Sequence, residues 1–281
     1  MARNPSPTLR RRQLGARLRE LRLQADLTID QVATQLMVSA AKISRLETGD
    51  RGVTLRDVRD LCDLYEAVPE DRERLMRLAR QSRERAWWQE YGLPFPKFVG
   101  LEAGAASIDD FKSGVVPGLL QTEDYARTVL EATLPDSDPD MVRRLLEARR
   151  ERQRLLSGDP PVRLNVVLDE AAVRRVVGGA AVMRGQVQAL IDRAEMVSVE
   201  VQLLRFEAGA HPALESNFTF YHFDEEVSDV VYVEGLLGEY YLEGPTDLTR
   251  YRQVFDRLRS IALAPRESVL ALSKIAETYA T

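Results

Sequence analysis

The sequence predicts an α+β protein in which an all-α part of five helices precedes an α+β part with a mixed sheet. Apolar residues recur at helical spacing from Leu14 to Trp88. From Val162 onward, short runs rich in β-branched and aromatic residues flank one helical run. Charge divides in the same way, because residues 1–85 hold 18 Lys and Arg against 13 Asp and Glu, whereas residues 86–281 hold 21 against 31. We therefore expect a basic part joined to an acidic part.

The composition excludes several classes of protein. No apolar run approaches the ~20 residues that a transmembrane helix needs, and the N-terminus lacks the apolar core of a signal peptide. Cys62 is the single cysteine, so we expect no disulfide framework and a buried, unreactive thiol. These features predict a soluble, cytoplasmic protein that does not associate with membranes.

The first three helices are predicted from apolar spacing and from their capping residues. Leu14 to Leu21 mark the first helix, and "LTIDQVATQL" forms the second, with Thr28 as its N-cap. The third helix is "SAAKISRLETG", with Ser39 as its N-cap and Gly49 in the left-handed conformation that ends a helix. Only "MVS" separates the second helix from the third, and two short helices joined by so short a turn form a helix-turn-helix.

Two further helices complete the all-α part. "TLRDVRDLCDLYEA" is capped by Thr54, and "PEDRERLMRLARQSRERAWW" begins at Pro69 and closes with Trp87 and Trp88. Ahead of all five helices lies "NPSPTLRRR", which its two prolines should keep extended. Arg10, Arg11 and Arg12 would then form a basic arm for a phosphate backbone or a minor groove, although a solvated tail is the alternative.

The third helix has one face for anchoring and one for reading. At 100° per residue, Ile43 and Leu46 lie on one side, opposite Arg45, with Lys42 at the flank. Small side chains and hydroxyls surround Arg45, so that this face can approach another molecule closely. A helix in a DNA major groove needs such a face, because Arg pairs bidentately with guanine and methyl groups contact thymine.

The stretch from Leu14 to Tyr65 resembles the Xre-type helix-turn-helix domain, whose fold is the five-helix class of phage repressors. The resemblance implies that Glu47 pairs with Arg22 and that DNA is bound by the following residues: Arg10, Arg11, Arg12, Thr28, Ser39, Ala40, Ala41, Lys42, Ser44 and Arg45. Two residues depart from the pattern. Ile29 replaces a glutamine that contacts phosphate. Met37 replaces a turn glycine, which implies either a turn that is strained at positive φ or a turn that is rebuilt.

The acidic part is predicted to combine helices with a mixed sheet. Pro94 and Pro96 break the helical pattern, and helices follow at "TEDYARTVLEA", capped by Thr122, and at "DPDMVRRLLEARRERQRLL". Four strands are predicted at "VRLNVVL", "VSVEVQLL", "NFTFYHF" and "DVVYVE", with the helix "RGQVQALIDRAEM" between the first two. A last helix, "DLTRYRQVFDRLRSIALAPRE", closes the chain. The order β-α-β followed by a hairpin implies a mixed sheet.

No set of catalytic residues emerges from the acidic part. His211 and His222 are the only histidines, and neither belongs to a paired ligand motif. His222 alternates with Phe220 and other strand residues, which favours a half-buried structural role. Asp169, Glu170 and Glu234 lie at strand ends, where caps and surface acids are commoner than catalytic groups. "VVGGAAVM" lacks the spacing of a phosphate-binding loop and predicts a turn. We expect no catalytic residue, no metal and no cofactor.

The acidic part also resembles a known family in "LLQTEDYA", "VLDEAAVRR", "EAGAHP", "VVYVEG" and "RYRQVFDRLRSIALAPRES". It is similar to the C-terminal domain of unknown function that follows an Xre-type domain in actinobacterial WhiJ-type regulators. The resemblance implies a partner, because such regulators are often encoded beside a small protein, but it identifies no ligand.

The sequence thus predicts a sequence-specific transcriptional regulator in four segments. Residues 1–12 form the basic arm, 13–85 the helix-turn-helix domain, 86–106 a connection, and 107–281 an α+β domain for sensing, partner binding and dimerisation. The predicted partners are a double-stranded DNA operator with an inverted repeat, a second copy of the chain, and a small partner protein. Two alternatives stay open: a DNA-tethered enzyme acting on a nucleotide or phosphate ester, and an antitoxin-like interaction protein that autoregulates its operon.

Overall fold

The computed structural model describes residues 6–93, 96–134, 136, 138–224, 227–235 and 238–279, which divide into two compact units. The first unit contains the described residues from 6 to 104 and from 223 to 227. The second contains those from 105 to 222 and from 228 to 279. None of the described helices is long and apolar enough to span a membrane.

The first unit opens with five helices around one apolar core, as the sequence predicts. They are α1 (Pro7–Gln24), α2 (Ile29–Gln35), α3 (Ala40–Glu47), α4 (Leu55–Leu64) and α5 (Pro69–Gln81). The hydroxyls of Thr28, Ser39 and Thr54 accept hydrogen bonds from first-turn amides, so all three predicted caps are confirmed. Cys62 is buried in this core.

The expectation of an extended segment through Arg10, Arg11 and Arg12 is wrong, because these residues lie in α1. Pro7 occupies the first turn, where its missing N–H costs nothing. The Ser6 hydroxyl accepts a hydrogen bond from the amide of Leu9 at 3.1 Å and caps the helix. Pro7, one of the two prolines that suggested an extended tail, therefore starts a helix, and Pro5 lies outside the described residues.

The tryptophans do not close the fifth helix, which ends at Gln81. Trp87 and Trp88 lie in a separate 3₁₀ helix, Trp87–Tyr91, and α6 (Pro96–Gly104) follows. Trp88 and Val99 are buried together in a small cluster of the first unit. These aromatic side chains therefore pack within their own chain.

Among the described residues of the second unit, six strands form one mixed sheet, which confirms the predicted class. The strands are β1 (Ser107–Lys112), β2 (Arg163–Asp169), β3 (Val199–Leu204), β4 (Phe218–His222), β5 (Val230–Gly235) and β6 (Gly238–Leu242). Their order is β3-β2-β1-β4-β5-β6; β1 to β3 run parallel, and the pairs β1–β4, β4–β5 and β5–β6 are antiparallel. The four predicted strands correspond to β2, β3, β4 and β5. The sequence analysis missed β1 and also β6, which carries Tyr240 and Tyr241.

The helices of the second unit are α7 (Glu123–Thr133), α8 (Pro139–Gln153), α9 (Glu170–Arg174), α10 (Ala180–Arg193), α11 (Pro245–Ile261) and α12 (Pro265–Glu277). Phe111, Phe218 and Phe220 of the sheet share a core with Phe255 and Leu258 of α11. The expectation that α11 closes the chain is wrong, since Pro265 opens another helix. Shorter 3₁₀ helices lie at Gly118–Leu120, Arg154–Ser157 and Phe206–Ala208.

Candidate nucleic-acid interface

The turn between α2 and α3 adopts one of the two conformations that the sequence implied. Met37 has a φ of +52°, in the left-handed region that favours glycine, and its side chain is 92% exposed. The amide of Val38 donates to the carbonyl of Ala33 at 2.9 Å and closes the turn. The turn therefore strains the backbone at Met37. Because the Met37 side chain is so exposed, its packing contributes little to offset that strain.

The inner face of α3 is fixed against the core of the first unit. Ile43 and Leu46 are almost completely buried, as the helical periodicity predicts. Gly15 of α1 lies so close to the end of α3 that a Cβ atom there would lie 2.5 Å from the carbonyl oxygen of Glu47. Close approach of the two helices therefore requires glycine at this position.

A buried ion pair joins α1 to α3 and confirms the pairing that the family resemblance implied. Arg22 Nε lies 2.7 Å from Glu47 Oε1, and Arg22 Nη2 lies 3.0 Å from Oε2. The remaining nitrogen, Nη1, donates to the carbonyl of Leu27 at 2.7 Å. The hydrogen bonds with Glu47 raise the pKa of Arg22, so the guanidinium stays charged. A bidentate pair of this kind fixes orientation as well as distance.

The outer face of α3 presents part of the predicted reading surface. Ala41 and Arg45 are exposed, as are the cap residues Thr28 and Ser39, whereas Ser44 is half-buried. Arg45 Nε donates to the carbonyl of Ala41 at 3.1 Å, so the side chain lies back along its own helix. Ala40 packs partly against the core.

Lys42 lies in an ion pair that the sequence analysis missed. Its Nζ is 2.7 Å from Oδ1 of Asp57 in the first turn of α4. Burial alone would raise the pKa of Asp57, but hydrogen bonds from Lys42 and Thr54 outweigh it and lower the pKa. Both charges are therefore present, and a DNA phosphate would have to compete with Asp57 for Lys42. The capping-box pattern from Thr54 to Asp57 was the available signal for this acid.

The three arginines of the predicted arm differ in their surroundings. Arg10 donates to the side-chain oxygen of Gln13 at 3.3 Å, and Arg11 is half-buried. Arg12 is only 6% exposed, and its guanidinium lies over the ring of Phe223, 5.6 Å from the centroid. Arg10 and Arg11 are therefore partly exposed to solvent, whereas Arg12 is buried.

The two histidines occupy different environments in the second unit. His222 bridges two carboxylates, with Nε2 2.9 Å from Asp109 and Nδ1 2.9 Å from Asp229. The side chain of His211 is 3% exposed, with Nε2 3.7 Å from Asp169 and its ring edge against Phe111. Both histidines lie within the sheet and its connections, as structural residues do.

The other acids and glycines considered as sites have structural contacts. Glu170 is buried and accepts hydrogen bonds from Arg174 and from the amide of Phe206. Gly178 and Gly179 both have positive φ ahead of α10, so that the run forms the expected turn. Glu234 is exposed at the end of β5.

Two families match the chain. A helix-turn-helix domain matches residues 13–75, which contain α2, α3 and α4 together with most of α1. A domain of unknown function, DUF5753, matches residues 95–274, which begin just before α6 and end within α12. No curated protein matches the chain.

Proposed function

The chain belongs to the DUF5753 family and carries a helix-turn-helix DNA-binding domain, and from this combination we propose that it is a sequence-specific transcriptional regulator of the cytoplasm. It reads an operator in double-stranded DNA as a homodimer. Its second unit receives a signal, delivered by a small partner protein, and changes the affinity of the first unit for DNA.

The observation that carries this proposal is the contrast between the two faces of α3. Ile43 and Leu46 fix the helix to the core, and the pair Arg22–Glu47 fixes its rotation, whereas Ala41 and Arg45 face solvent. A rigidly held helix that exposes a fork donor among small side chains suits direct readout of a guanine in the major groove. Thr28 and Ser39 lie at the N-termini of α2 and α3, where free amides favour phosphate.

Dimerisation is proposed from the size of the reading surface. A single helix-turn-helix contacts few base pairs, and an operator must compete with a vast excess of random DNA, so that two half-sites are needed. Two-fold pairing would require an inverted repeat with half-sites ~34 Å apart, or a multiple of this distance. Exposed aromatic side chains could form the dimer interface. Trp88 is buried within its own unit, whereas Tyr240 of the edge strand β6 is 61% exposed and is available for such an interface.

Genomic occupancy tests this function. Chromatin immunoprecipitation of the tagged chain should enrich a small set of promoter sites that share an inverted repeat, and Arg45→Ala should reduce the enrichment at those sites. The matched control is Arg77→Ala, which removes another exposed arginine, from α5, a helix with no proposed role in reading DNA. Enrichment that is diffuse, or equal for Arg45→Ala and the wild type, contradicts sequence-specific reading by α3.

A further inference from the structure

Two segments of the DUF5753 match belong structurally to the first unit, which carries the helix-turn-helix: α6 and the described residues from 223 to 227. Helix α6 docks on the first turn of α1, where the Ser6 hydroxyl donates to the carbonyl of Gly100 at 2.7 Å. The contact is so close that a Cβ atom on Gly100 would lie 2.1 Å from Thr8 Oγ1. Thr8 is itself buried, so a larger residue at position 100 would displace α6.

Helix α6 also contacts the end of the proposed reading helix through Asp50. Lys97 Nζ lies 2.5 Å from Asp50 Oδ1, and the hydroxyl of Thr48 donates to Asp50 Oδ2 at 2.8 Å. Thr48 is the C-cap of α3. A residue of the DUF5753 match is therefore one side chain away from the last turn of α3.

Arg12 lies at the centre of this cluster. Phe223 covers its guanidinium, and its backbone packs against Gly49, where a Cβ atom would lie 3.1 Å from Arg12 Cα. Burial alone would raise the pKa of Asp50, but hydrogen bonds from Lys97 and Thr48 and the charges of Lys97 and Arg12 outweigh it and lower the pKa. The charge of Arg12 thus interacts with the carboxylate of Asp50 and with the ring of Phe223.

The chain connectivity links α6 to Phe223. β1 begins three residues after α6 ends, and Phe223 directly follows β4. These two strands are neighbours, and the amide of Ala106 donates to the carbonyl of His222 at 2.8 Å where they meet. A displacement of this one strand pair would therefore pull on α6 and on Phe223 at the same time.

We propose that Phe223 and α6 form an autoinhibitory latch on Arg12, through which the second unit lowers the affinity of the first for DNA. With the latch closed, Arg12 is covered and cannot pair with a phosphate. When Phe223 and α6 leave, the guanidinium becomes available and adds a phosphate contact at the N-terminal end of α1. This inference rests on the proposed DNA-binding function and assigns its regulation.

The salt dependence of binding to a random-sequence duplex tests the latch without knowledge of the operator. Phe223→Ala should raise affinity about five- to tenfold at 0.1 M salt and steepen the slope of log K against log salt by about 0.9, the effect of one phosphate contact. Arg12→Ala alone should leave the wild-type slope unchanged, and Phe223→Ala with Arg12→Ala should return the slope to the wild-type value.

Gly100→Val gives an independent way to open the latch, because its side chain collides with Thr8. It should reproduce the effects of Phe223→Ala, whereas the control Gly185→Val, which points into open space on α10, should not. A cooperative urea-unfolding transition followed by far-ultraviolet circular dichroism checks that each variant stays folded. Tryptophan fluorescence cannot serve here, because Trp88 packs against Val99 of α6 and would respond to the departure of α6 itself. An unchanged slope in folded Phe223→Ala and Gly100→Val overturns the latch while DNA binding stands, and absence of binding by every variant and the wild type overturns the proposed function and the latch together.

Discussion

Raising the pH through 9 should destabilise the sheet of the second unit, because His222 is held as a cation between two carboxylates. Burial alone would lower its pKa, but the hydrogen bonds and charges of Asp109 and Asp229 outweigh burial and raise the pKa from 6.5 to about 9. Asn165 donates to Asp109 at 2.7 Å and Arg252 to Asp229 at 3.1 Å, so both carboxylates are themselves held in place.

The sign and size of the effect follow from proton linkage. A pKa raised on folding stabilises the folded state fully below the unfolded value of 6.5, and the stabilisation is lost as the pH rises through about 9. At about 1.4 kcal/mol per pKa unit, the loss is about 3 kcal/mol. The destabilised region should be the contact between β1, β4 and the start of β5, where the cluster lies.

Urea unfolding at pH 6, 7.5, 9 and 10 measures this loss in the wild type and in His222→Gln. Far-ultraviolet circular dichroism follows the whole chain, whereas tryptophan fluorescence reports the first unit alone, since Trp87 and Trp88 are the only tryptophans. The difference in the free energy of unfolding between the wild type and His222→Gln should decrease by about 3 kcal/mol between pH 6 and pH 10. Parallel pH profiles for the wild type and His222→Gln would refute the assignment of a raised pKa to His222.

Three further substitutions test the first unit. Arg45→Ala should lower the operator affinity by about 1–3 kcal/mol and leave binding to random DNA almost unchanged in competition assays; equal losses on both would place Arg45 on a phosphate. Glu47→Ala should lower the free energy of unfolding by about 3–5 kcal/mol, because Arg22 stays buried without its carboxylate; a loss below about 1 kcal/mol in tryptophan-monitored urea unfolding would contradict this. Met37→Gly should raise the free energy of unfolding by about 1 kcal/mol, since glycine relieves the positive φ of an exposed residue, and a destabilised variant would show that the Met37 side chain packs after all.

Local features were predictable from the sequence because neighbouring residues determine them. Thr28, Ser39 and Thr54 cap their helices through hydrogen bonds that span three residues, and Gly49 adopts its left-handed conformation at the end of a helix. The inward face of α3 follows from helical periodicity alone. The pairing of Arg22 with Glu47 spans 25 residues and came from the family resemblance, since periodicity places both residues without showing that they meet.

Distant partners could not be predicted, because one sequence does not show which segments pack together. Lys42 meets Asp57 across the α3–α4 loop, Lys97 meets Asp50 from α6, and Phe223 covers Arg12 from more than 200 positions away. The same limit explains why the segment with Arg10, Arg11 and Arg12 was wrongly predicted to be extended. Pro7 is compatible with a helix start and with an extended chain, and contacts of α1 with α6 select the helix.

These long-range partners reduce the charge that the first unit can offer to DNA. Residues 1–85 carry five more basic than acidic residues, yet Lys42 is paired with Asp57, and Arg12 is covered by Phe223. Binding to random DNA rests on phosphate contacts, so a unit that keeps its cations paired should bind random sequence weakly. In the proposed dimer, specific binding would then depend on base contacts from α3 and on the linkage of two such units, because linkage multiplies two modest affinities. The closed latch at Arg12 would weaken the phosphate contribution further, and its opening would strengthen both half-sites at once.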